Sequence, residues 1–252
     1  ANAVVTLGLS HVVITSVDRD DLDDGGAAHW AAVIGAVRRA APGATVEVLT
    51  PDFKGVRAHL DTVLAAGPHV FSHNTETVPR LFRSLRPQSH FATTLDVLRN
   101  ARGFGGKLKS GLMVGLGESD DEVLSVVDTW ADIGLDIATV GQYLRPSLEH
   151  WAVARYVAQE SFDLYRSHGE SRGIGVVYSG PLVLNWVGIG GGADGPNPYN
   201  MMEFIRRVPD GAVLTLEALM RNVLPINTMA IAMGLHVRVG IEDNLWGAKG
   251  ER

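Results

Sequence analysis

Polar side chains that could bind a small molecule follow several short apolar runs of the sequence. If these runs are parallel strands, their carboxyl ends meet at one edge, which is where α/β barrel enzymes keep their sites. Polar residues near the ends of these runs are Asn74, Glu76, Lys109, Glu118, Gln142 and Arg145. Because the same residue types cap helices and form ion pairs, a helix cap for Glu118 and a loop carboxylate partner for Arg145 are the structural alternatives.

The absence of cysteine from the chain limits the chemistry of its own residues. Disulfides, cysteine-ligated zinc, thiolate catalysis and iron–sulfur clusters held by cysteine are excluded for them. No His-x-His pair occurs either. The glycine-rich stretch 188–195 (GIGGGADG) lacks the spacing and the lysine of a phosphate-binding loop, which favours a plain strand-to-helix turn.

Apolar runs rich in β-branched residues alternate with helical patterns along the chain, as in a parallel sheet covered by helices. The predicted strands are 11–17, 45–50, 69–74, 109–115, 137–143, 182–188, 212–218 and 236–242. A further run, 174–179, also has strand character and is assigned to the segment before the sixth strand. The predicted helices include 27–40, 56–66, 93–101 and 119–133. Ser119 and Glu122 have the spacing of a capping box at the start of the last helix.

Eight β/α alternations within 252 residues predict an α/β fold, a single (βα)8 TIM-type barrel that extends over residues 1–252. An open doubly wound sheet is the alternative. No linker, low-complexity tract or internal repeat marks a domain boundary.

The composition is that of a globular protein, with 46% hydrophobic and 20% charged residues. A net charge of −6 and a pI near 5.8 provide no basic footprint for nucleic acid or an anionic membrane. No apolar stretch approaches the roughly 20 residues of a membrane-spanning helix, and the first residues lack the basic region of a signal peptide. We therefore expect a soluble, cytoplasmic protein with no nucleic-acid or membrane partner.

Residues 1 to about 183 contain five segments in an order that resembles lipoyl synthase, a radical S-adenosylmethionine enzyme that inserts two sulfurs into an octanoyl chain. The segments are HVVITSVDRDDLDDGGAAH (11–29), EVLTPDF (47–53), HNTETVPRL (73–81), KSGLMVGLGESDDEV (109–123) and GQYLRPSLEHWAV (141–153). The resemblance implies a barrel pocket for S-adenosylmethionine and substrate. Its implied binding residues are Asn74, Glu76, Lys109, Glu118, Gln142 and Arg145.

The chain departs from that family in the residues that hold metal. The family uses a three-cysteine loop for a [4Fe–4S] cluster and further cysteines for a second cluster, and this chain has no cysteine. It also has Leu184, Asn185 and Trp186 where the family continues with Arg-Ser-Ser-Tyr. The expectation is therefore no iron–sulfur cluster and no lipoyl synthase activity in the chain as given.

Residues from about 184 to 252 resemble the β-keto acid cleavage enzymes, which are zinc-dependent (βα)8 barrels. The resemblance rests on GIGGGADGPNPYNMMEFIRRVPDGA (188–212) and LPINTMAIAMGLHVRVGIEDNLW (224–246). It implies that Glu242 is a zinc ligand and that Arg238 and Asp243 assist catalysis. Catalytic zinc needs three protein ligands, and the family's His-x-His pair is missing, with His73 as the nearest substitute. An ion pair between Arg238 and Glu242 is the structural alternative.

Taken together, the two resemblances predict a recombined, engineered barrel whose crossover lies between about 173 and 184, with a natural gene fusion as the alternative. The expected function is a folding scaffold without native catalysis. No cofactor is expected, apart from a zinc ion that Glu242 could help to bind. The alternatives are a residual metal-dependent C–C lyase or hydrolase, and a passive binder of S-adenosylmethionine or another anionic small molecule. Mismatched packing at the two joins predicts exposed apolar surface near both ends of the chain and weak self-association.

Overall fold

The computed structural model describes residues 1–145, 149–180, 183–188, 198–206, 213–218 and 223–237. The chain divides into two compact units, Ala1–Pro181 and Leu182–Arg252. Each unit has its own parallel sheet and its own apolar core. The fold class is thus α/β, as predicted, whereas the closed barrel and the single domain stay predictions.

The first unit is built on a six-stranded parallel sheet whose strand order follows the chain, from β1 to β6. Its strands are β1 (His11–Thr15), β2 (Thr45–Leu49), β3 (Val70–Ser72), β4 (Lys107–Val114), β5 (Ile137–Gln142) and β6 (Val176–Gly180). Its helices are α1 (Asn2–Thr6), α2 (Ala27–Ala40), α3 (Arg57–Ala65), α4 (Pro79–Leu85), α5 (Phe91–Ala101), α6 (Asp120–Ile133) and α7 (Gln159–Ser171), and a 3-10 turn spans Phe53–Gly55.

The second unit contains a three-stranded parallel sheet with the order β7–β8–β9. Its described elements are β7 (Val183–Gly188), α8 (Pro198–Ile205), β8 (Val213–Ala218), α9 (Val223–Ala232) and β9 (His236–Val237). Its small core joins Met201 of α8 and Leu214 and Leu216 of β8 to Ile226 and Ala230 of α9.

The strand count predicted from the sequence is wrong, because the run 174–179 forms a strand of its own. β6 pairs in parallel with β5, with Ala138 opposite Val177 and Val140 opposite Ser179. Val177 and Ser179 are buried while Val176 and Tyr178 are exposed, which is the two-residue period of a strand with one covered face. The described residues therefore contain nine strands rather than eight.

The helix predictions are confirmed, and α6 shows the local reason most clearly. Ser119 accepts a hydrogen bond from the Glu122 backbone N–H at 3.3 Å, and the Glu122 carboxylate accepts one from the Ser119 backbone N–H at 2.9 Å. This capping box satisfies two backbone donors that the first turn of a helix leaves unpaired. Gly134 ends the helix in the left-handed conformation, at φ 87°.

The core of the first unit lies between the sheet and its helices. Fully buried Trp130, Val127 and Val123 of α6 face the sheet, as do Ile34 of α2 and Leu98 of α5. The buried apolar area holds the strands in register, and the loops after the strands extend from this rigid base. No helix in the described parts of the chain is both long and apolar enough to cross a membrane.

Candidate functional site

Two adjacent cavities open where β1, β2 and β3 end. The smaller cavity, of about 160 Å³, is lined by Thr15, Ser16, Asp18, Leu49, Thr50, Pro51, Asp52, His73, Asn74, Glu76, Phe82, Arg86, Ser89 and Thr94. The larger cavity, of about 280 Å³, shares Asp18, Pro51, Asp52 and Ser89 with it. The carboxyl edge of a parallel sheet is the usual place for a ligand site, because the loops that follow all the strands meet there. The structure thus locates a candidate site at the predicted edge.

Asn74 and Glu76, two of the predicted binding residues, both line the smaller cavity. The backbone of Glu76 is held against β4, since its N–H donates to the carbonyl of Gly111 at 3.0 Å and its carbonyl accepts from the N–H of Met113 at 2.9 Å. Glu76 has φ 69°, a left-handed conformation that is uncommon for a residue other than glycine. Outliers of this kind cluster at ligand-binding sites, where the surrounding structure holds the side chain in a fixed direction.

The surroundings of the Glu76 carboxyl group shift its pKa. Burial raises its pKa above the ordinary value, and the nearby Arg86 guanidinium and the Asn74 side chain only partly oppose this rise. A partly buried acid beside a cation and an amide, all lining one cavity, is an arrangement typical of a functional site.

The Asn74 side chain lies against β4 at a position where only glycine leaves enough room. A Cβ atom added to Gly111 would come within 2.9 Å of Asn74 Oδ1 and within 2.7 Å of Thr139 Oγ1. Gly111 therefore forms the surface on which the Asn74 amide is positioned.

His73 and Thr50 complete the inner wall of the smaller cavity. His73 Nδ1 donates a hydrogen bond to the Thr50 carbonyl oxygen at 2.9 Å, which joins the ends of β2 and β3. Burial lowers the pKa of His73, so the ring is neutral at physiological pH. His73 Nε2 and Thr50 Oγ1 are both buried and have no hydrogen-bond partner.

Lys109 lies near the start of its strand rather than at the carboxyl end, and its role as a cofactor-binding residue stays a prediction. It is the third residue of β4, and its ammonium group lies 2.7 Å from Glu47 Oε1 in β2. Neither cavity has Lys109 in its lining. Lys109 is the first residue of the predicted strand 109–115, and the observed strand begins two residues earlier, at Lys107, so in both cases Lys109 lies far from the carboxyl end.

Gln142 is the last residue of β5, and its amide group binds the backbone of a later segment. Its Nε2 donates to the carbonyl oxygens of Tyr143 at 2.9 Å and Arg155 at 3.1 Å, while its Oε1 accepts from the Val157 N–H at 2.8 Å. Arg145 follows the same strand, and its Nε donates to the carbonyl of His150 at 2.8 Å. Gln142 and Arg145 thus bind backbone groups of His150, Arg155 and Val157, and their roles as cofactor-binding residues stay predictions.

Glu118 is a buried carboxylate that organises the turn between β4 and α6. Its two oxygens accept hydrogen bonds from the N–H groups of Gly115 at 2.7 Å and Leu116 at 2.9 Å. Arg155 lies 3.7 Å from it and makes a closer ion pair with Asp120, at 2.6 Å. Glu118 therefore caps the turn, which is the structural alternative considered for it.

Several cavity residues were not among the predicted binding residues, notably Arg86, Asp18 and Thr50. A sequence signal exists for Asp18 and Thr50, because Asp18 directly follows the predicted strand 11–17 and Thr50, like Asn74, is the last residue of a predicted strand. Arg86 carried no such signal, since it follows α4 rather than a strand.

The residues predicted from the second resemblance, Arg238, Glu242 and Asp243, lie outside the described residues. Within the ranges that the structure describes, no group of three His, Cys, Asp or Glu side chains is arranged to hold a metal ion. Zinc binding through Glu242 stays a prediction.

The sequence of the chain is similar to the sequences of known protein families. Residues 1–129 match the Radical SAM superfamily. A lipoyl synthase of Nitratidesulfovibrio vulgaris is 50% identical over 209 residues, which cover 83% of this chain and 68% of that protein. The chain belongs to the lipoyl synthase family. A second lipoyl synthase, from Oleidesulfovibrio alaskensis, is 54% identical over 183 residues, which cover 73% of this chain and 63% of that protein. The chain thus spans about two thirds of the length of these relatives.

The last part of the chain is similar to a different family. Residues 160–252 match the beta-keto acid cleavage enzyme family, so this match begins within α7. The prediction that the chain combines segments resembling lipoyl synthase and β-keto acid cleavage enzymes is confirmed, although the second match begins before the predicted crossover. The designed origin that we expected is not supported by these matches.

The prediction of a scaffold without native catalysis is wrong. Identities of 50% and 54% to lipoyl synthases, together with the Radical SAM match, point to a family of radical enzymes. The absence of cysteine misled the prediction, because it bears only on the iron–sulfur ligands and not on the rest of the site. A solved structure of methylornithine synthase supports the fold, with a TM-score of 0.55 and 14% identity over 92% of this chain and 69% of that chain.

Proposed function

We propose that residues 1–180 form a binding site for S-adenosylmethionine like that of the lipoyl synthase family. The observation that carries the proposal is the smaller cavity, whose lining joins the partly buried Glu76, in its left-handed conformation, and Asn74 to residues at the ends of β1 and β2. Membership of the lipoyl synthase family supports the choice of ligand.

The chemistry of the cavity residues fits the groups of S-adenosylmethionine. The ligand has an ammonium group, a carboxylate, two ribose hydroxyls and an adenine. The cavity offers carboxylates at Asp18 and Asp52, a cation at Arg86 and polar groups at Asn74 and Glu76. With the larger cavity beside it, the available space reaches the roughly 300–1,000 Å³ that small-molecule sites occupy.

The iron–sulfur cluster of the family does not fit the residues of this chain. Such clusters are held by cysteine thiolates, and none of the 252 residues is a cysteine. We therefore assign to the chain's own residues the binding and orientation of S-adenosylmethionine, and no ligation of iron.

The proposal is tested by titrating S-adenosylmethionine into the purified chain and measuring the heat of binding. We expect saturable binding, and a rise in melting temperature with ligand concentration, because a ligand that binds only the folded state stabilises it. Glu76→Gln and Asn74→Ala should each weaken binding about tenfold, the usual effect of losing a hydrogen bond to a charged or polar ligand group.

Glu170→Gln is the matched control, because Glu170 is an exposed glutamate of α7 and lines neither cavity. It should bind S-adenosylmethionine like the unchanged chain. If the unchanged chain shows neither heat of binding nor a shift in melting temperature at millimolar ligand, the proposed function is wrong.

A further inference from the structure

Two buried polar atoms in the wall of the smaller cavity lack hydrogen-bond partners. They are Nε2 of His73 and Oγ1 of Thr50, and both residues line that cavity. His73 retains only 8% of its surface exposed, and Thr50 retains 5%. Since buried polar side-chain atoms nearly always have a partner, two orphaned atoms in one wall indicate a missing one.

The hydrogen bond to Thr50 determines which atom of the His73 ring is available. The Thr50 carbonyl can only accept, so the proton of the neutral ring is on Nδ1. Nε2 then carries a lone pair and no proton. His73 can therefore accept one further hydrogen bond and cannot donate one from this atom.

The surroundings of His73 favour an uncharged donor. A cationic donor entering the cavity finds two carboxylates, Asp18 and Asp52, which attract a positive charge far more strongly than a neutral ring does. The positive charge of Arg86 also opposes protonation of His73 and so helps to keep the ring neutral. The lone pair of Nε2 is thus left for a hydroxyl or an amine N–H.

We propose that His73 Nε2 accepts a hydrogen bond from the adenosine half of S-adenosylmethionine. This inference rests on the proposed function. All the uncharged donors of the ligand, its two ribose hydroxyls and the adenine amine, belong to that half, whereas the methionine half carries only an ammonium group. His73 is therefore a ligand-binding residue in addition to Asn74 and Glu76. It recognises the adenosine half of the ligand and not the methionine half.

The test compares the binding of three probes, S-adenosylmethionine, adenosine and methionine, to the unchanged chain and to His73→Asn. The asparagine amide can still donate to the Thr50 carbonyl, which preserves the link between β2 and β3, but it offers no acceptor at the position of Nε2. We expect about tenfold weaker binding of S-adenosylmethionine and adenosine, and unchanged binding of methionine. His29→Asn, at an exposed histidine of α2, should leave all three affinities unchanged.

A second measurement does not depend on whether the variant folds. The unchanged chain is labelled with 15N-histidine, and the chemical shift of His73 Nε2 is measured. Without ligand, this shift should have the value of an unprotonated nitrogen that accepts no hydrogen bond. It should move to the value of a hydrogen-bonded acceptor when S-adenosylmethionine or adenosine is added, and stay in place when methionine is added. A merely structural role for His73 would not move this resonance.

The outcomes separate this inference from the proposed function. If S-adenosylmethionine binds while the His73 resonance and the affinity of His73→Asn stay unchanged, the inference is overturned and the proposed function stands. A resonance already at the hydrogen-bonded value without ligand would also overturn it, because a bound water would then be the partner. If S-adenosylmethionine does not bind at all, both fail.

Discussion

The ammonium group of Lys109 lies 2.7 Å from Oε1 of Glu47, inside the six-stranded sheet of the first unit. His11 Nε2 approaches the other oxygen of Glu47, at 3.5 Å. Although burial opposes it, the two partners keep the pKa of Glu47 below its ordinary value. Glu47 and Lys109 are each the third residue of their strands, so this cluster lies away from the carboxyl edge that holds the cavities. Its role is to hold β1, β2 and β4 together.

Replacing Lys109 should therefore destabilise the fold. Lys109→Met leaves the Glu47 carboxylate, with 8% of its side chain exposed, without its closest cation. Leaving a buried charge without its partner costs about 3 kcal/mol or more, and we expect a loss of this order in the free energy of unfolding. Urea denaturation measures it. Adding Glu47→Gln to the same chain should recover part of the loss, because the unpaired charge is then removed.

Lys107→Met is the matched control on the same strand. Lys107 pairs with Asp136 at 2.7 Å, but its side chain is 64% exposed, so the pair contributes less than about 1 kcal/mol. Equal losses for Lys107→Met and Lys109→Met would show that burial of the Glu47 pair is unimportant.

Local features of the fold could be predicted because their causes lie within a few residues. The capping box of α6 and the glycine that ends this helix are both read from neighbouring residues. The ends of β1, β2 and β3 were also predicted well enough to find Asn74 and Glu76 at the cavity.

The role of Lys109 could not be predicted in the same way. Its partner Glu47 is 62 residues away in the sequence, and only the parallel pairing of β2, β3 and β4 brings the two together. A lysine near the start of a strand and one near its end have the same local sequence pattern. The orphaned Nε2 of His73 likewise depends on the Thr50 carbonyl of another strand, which no local pattern indicates.

Gly111→Ala should weaken S-adenosylmethionine binding without contacting the ligand itself. Its added methyl group would lie 2.9 Å from Asn74 Oδ1, closer than a Cβ atom can approach an oxygen, so the Asn74 side chain must move. A hydrogen bond of Asn74 to the ligand would then be lost, which corresponds to about tenfold weaker binding. Titration calorimetry measures the change.

Gly141→Ala is the control for that prediction. Gly141 is in the neighbouring strand β5, and a Cβ atom there meets no other atom within 4 Å. Its affinity for S-adenosylmethionine should equal that of the unchanged chain. Equal affinities of Gly111→Ala and the unchanged chain would mean that the position of Asn74 is unimportant for binding.

Glu76→Gln should stabilise the ligand-free fold at neutral pH even though it weakens ligand binding. Burial holds the pKa of Glu76 above its ordinary value of 4.5, so the folded state binds this proton more tightly than the unfolded state does. The unchanged chain therefore loses stability as the pH rises above about 4.5, and the glutamine variant has no such loss. The melting temperature of Glu76→Gln should exceed that of the unchanged chain at pH 8, with the difference shrinking toward pH 4. A pH-independent difference would contradict this explanation.

Glu122→Gln should show the opposite dependence on pH. The Arg80 guanidinium donates to both carboxylate oxygens of Glu122, at 2.8 and 2.9 Å, and lowers its pKa from 4.5 to about 2. A lowered pKa of an acid stabilises the fold above the unfolded value, and this contribution is lost as the pH falls from about 4.5 to about 2. Because the pair lies near the surface, we expect a difference in unfolding free energy below about 1 kcal/mol at pH 7. Denaturation of the two chains between pH 7 and pH 2 should show that this difference in unfolding free energy disappears. The cause is then the charge alone, because glutamine retains the oxygen that caps α6. If the difference in unfolding free energy between the two chains is the same at pH 2 as at pH 7, the charge of Glu122 is not its cause.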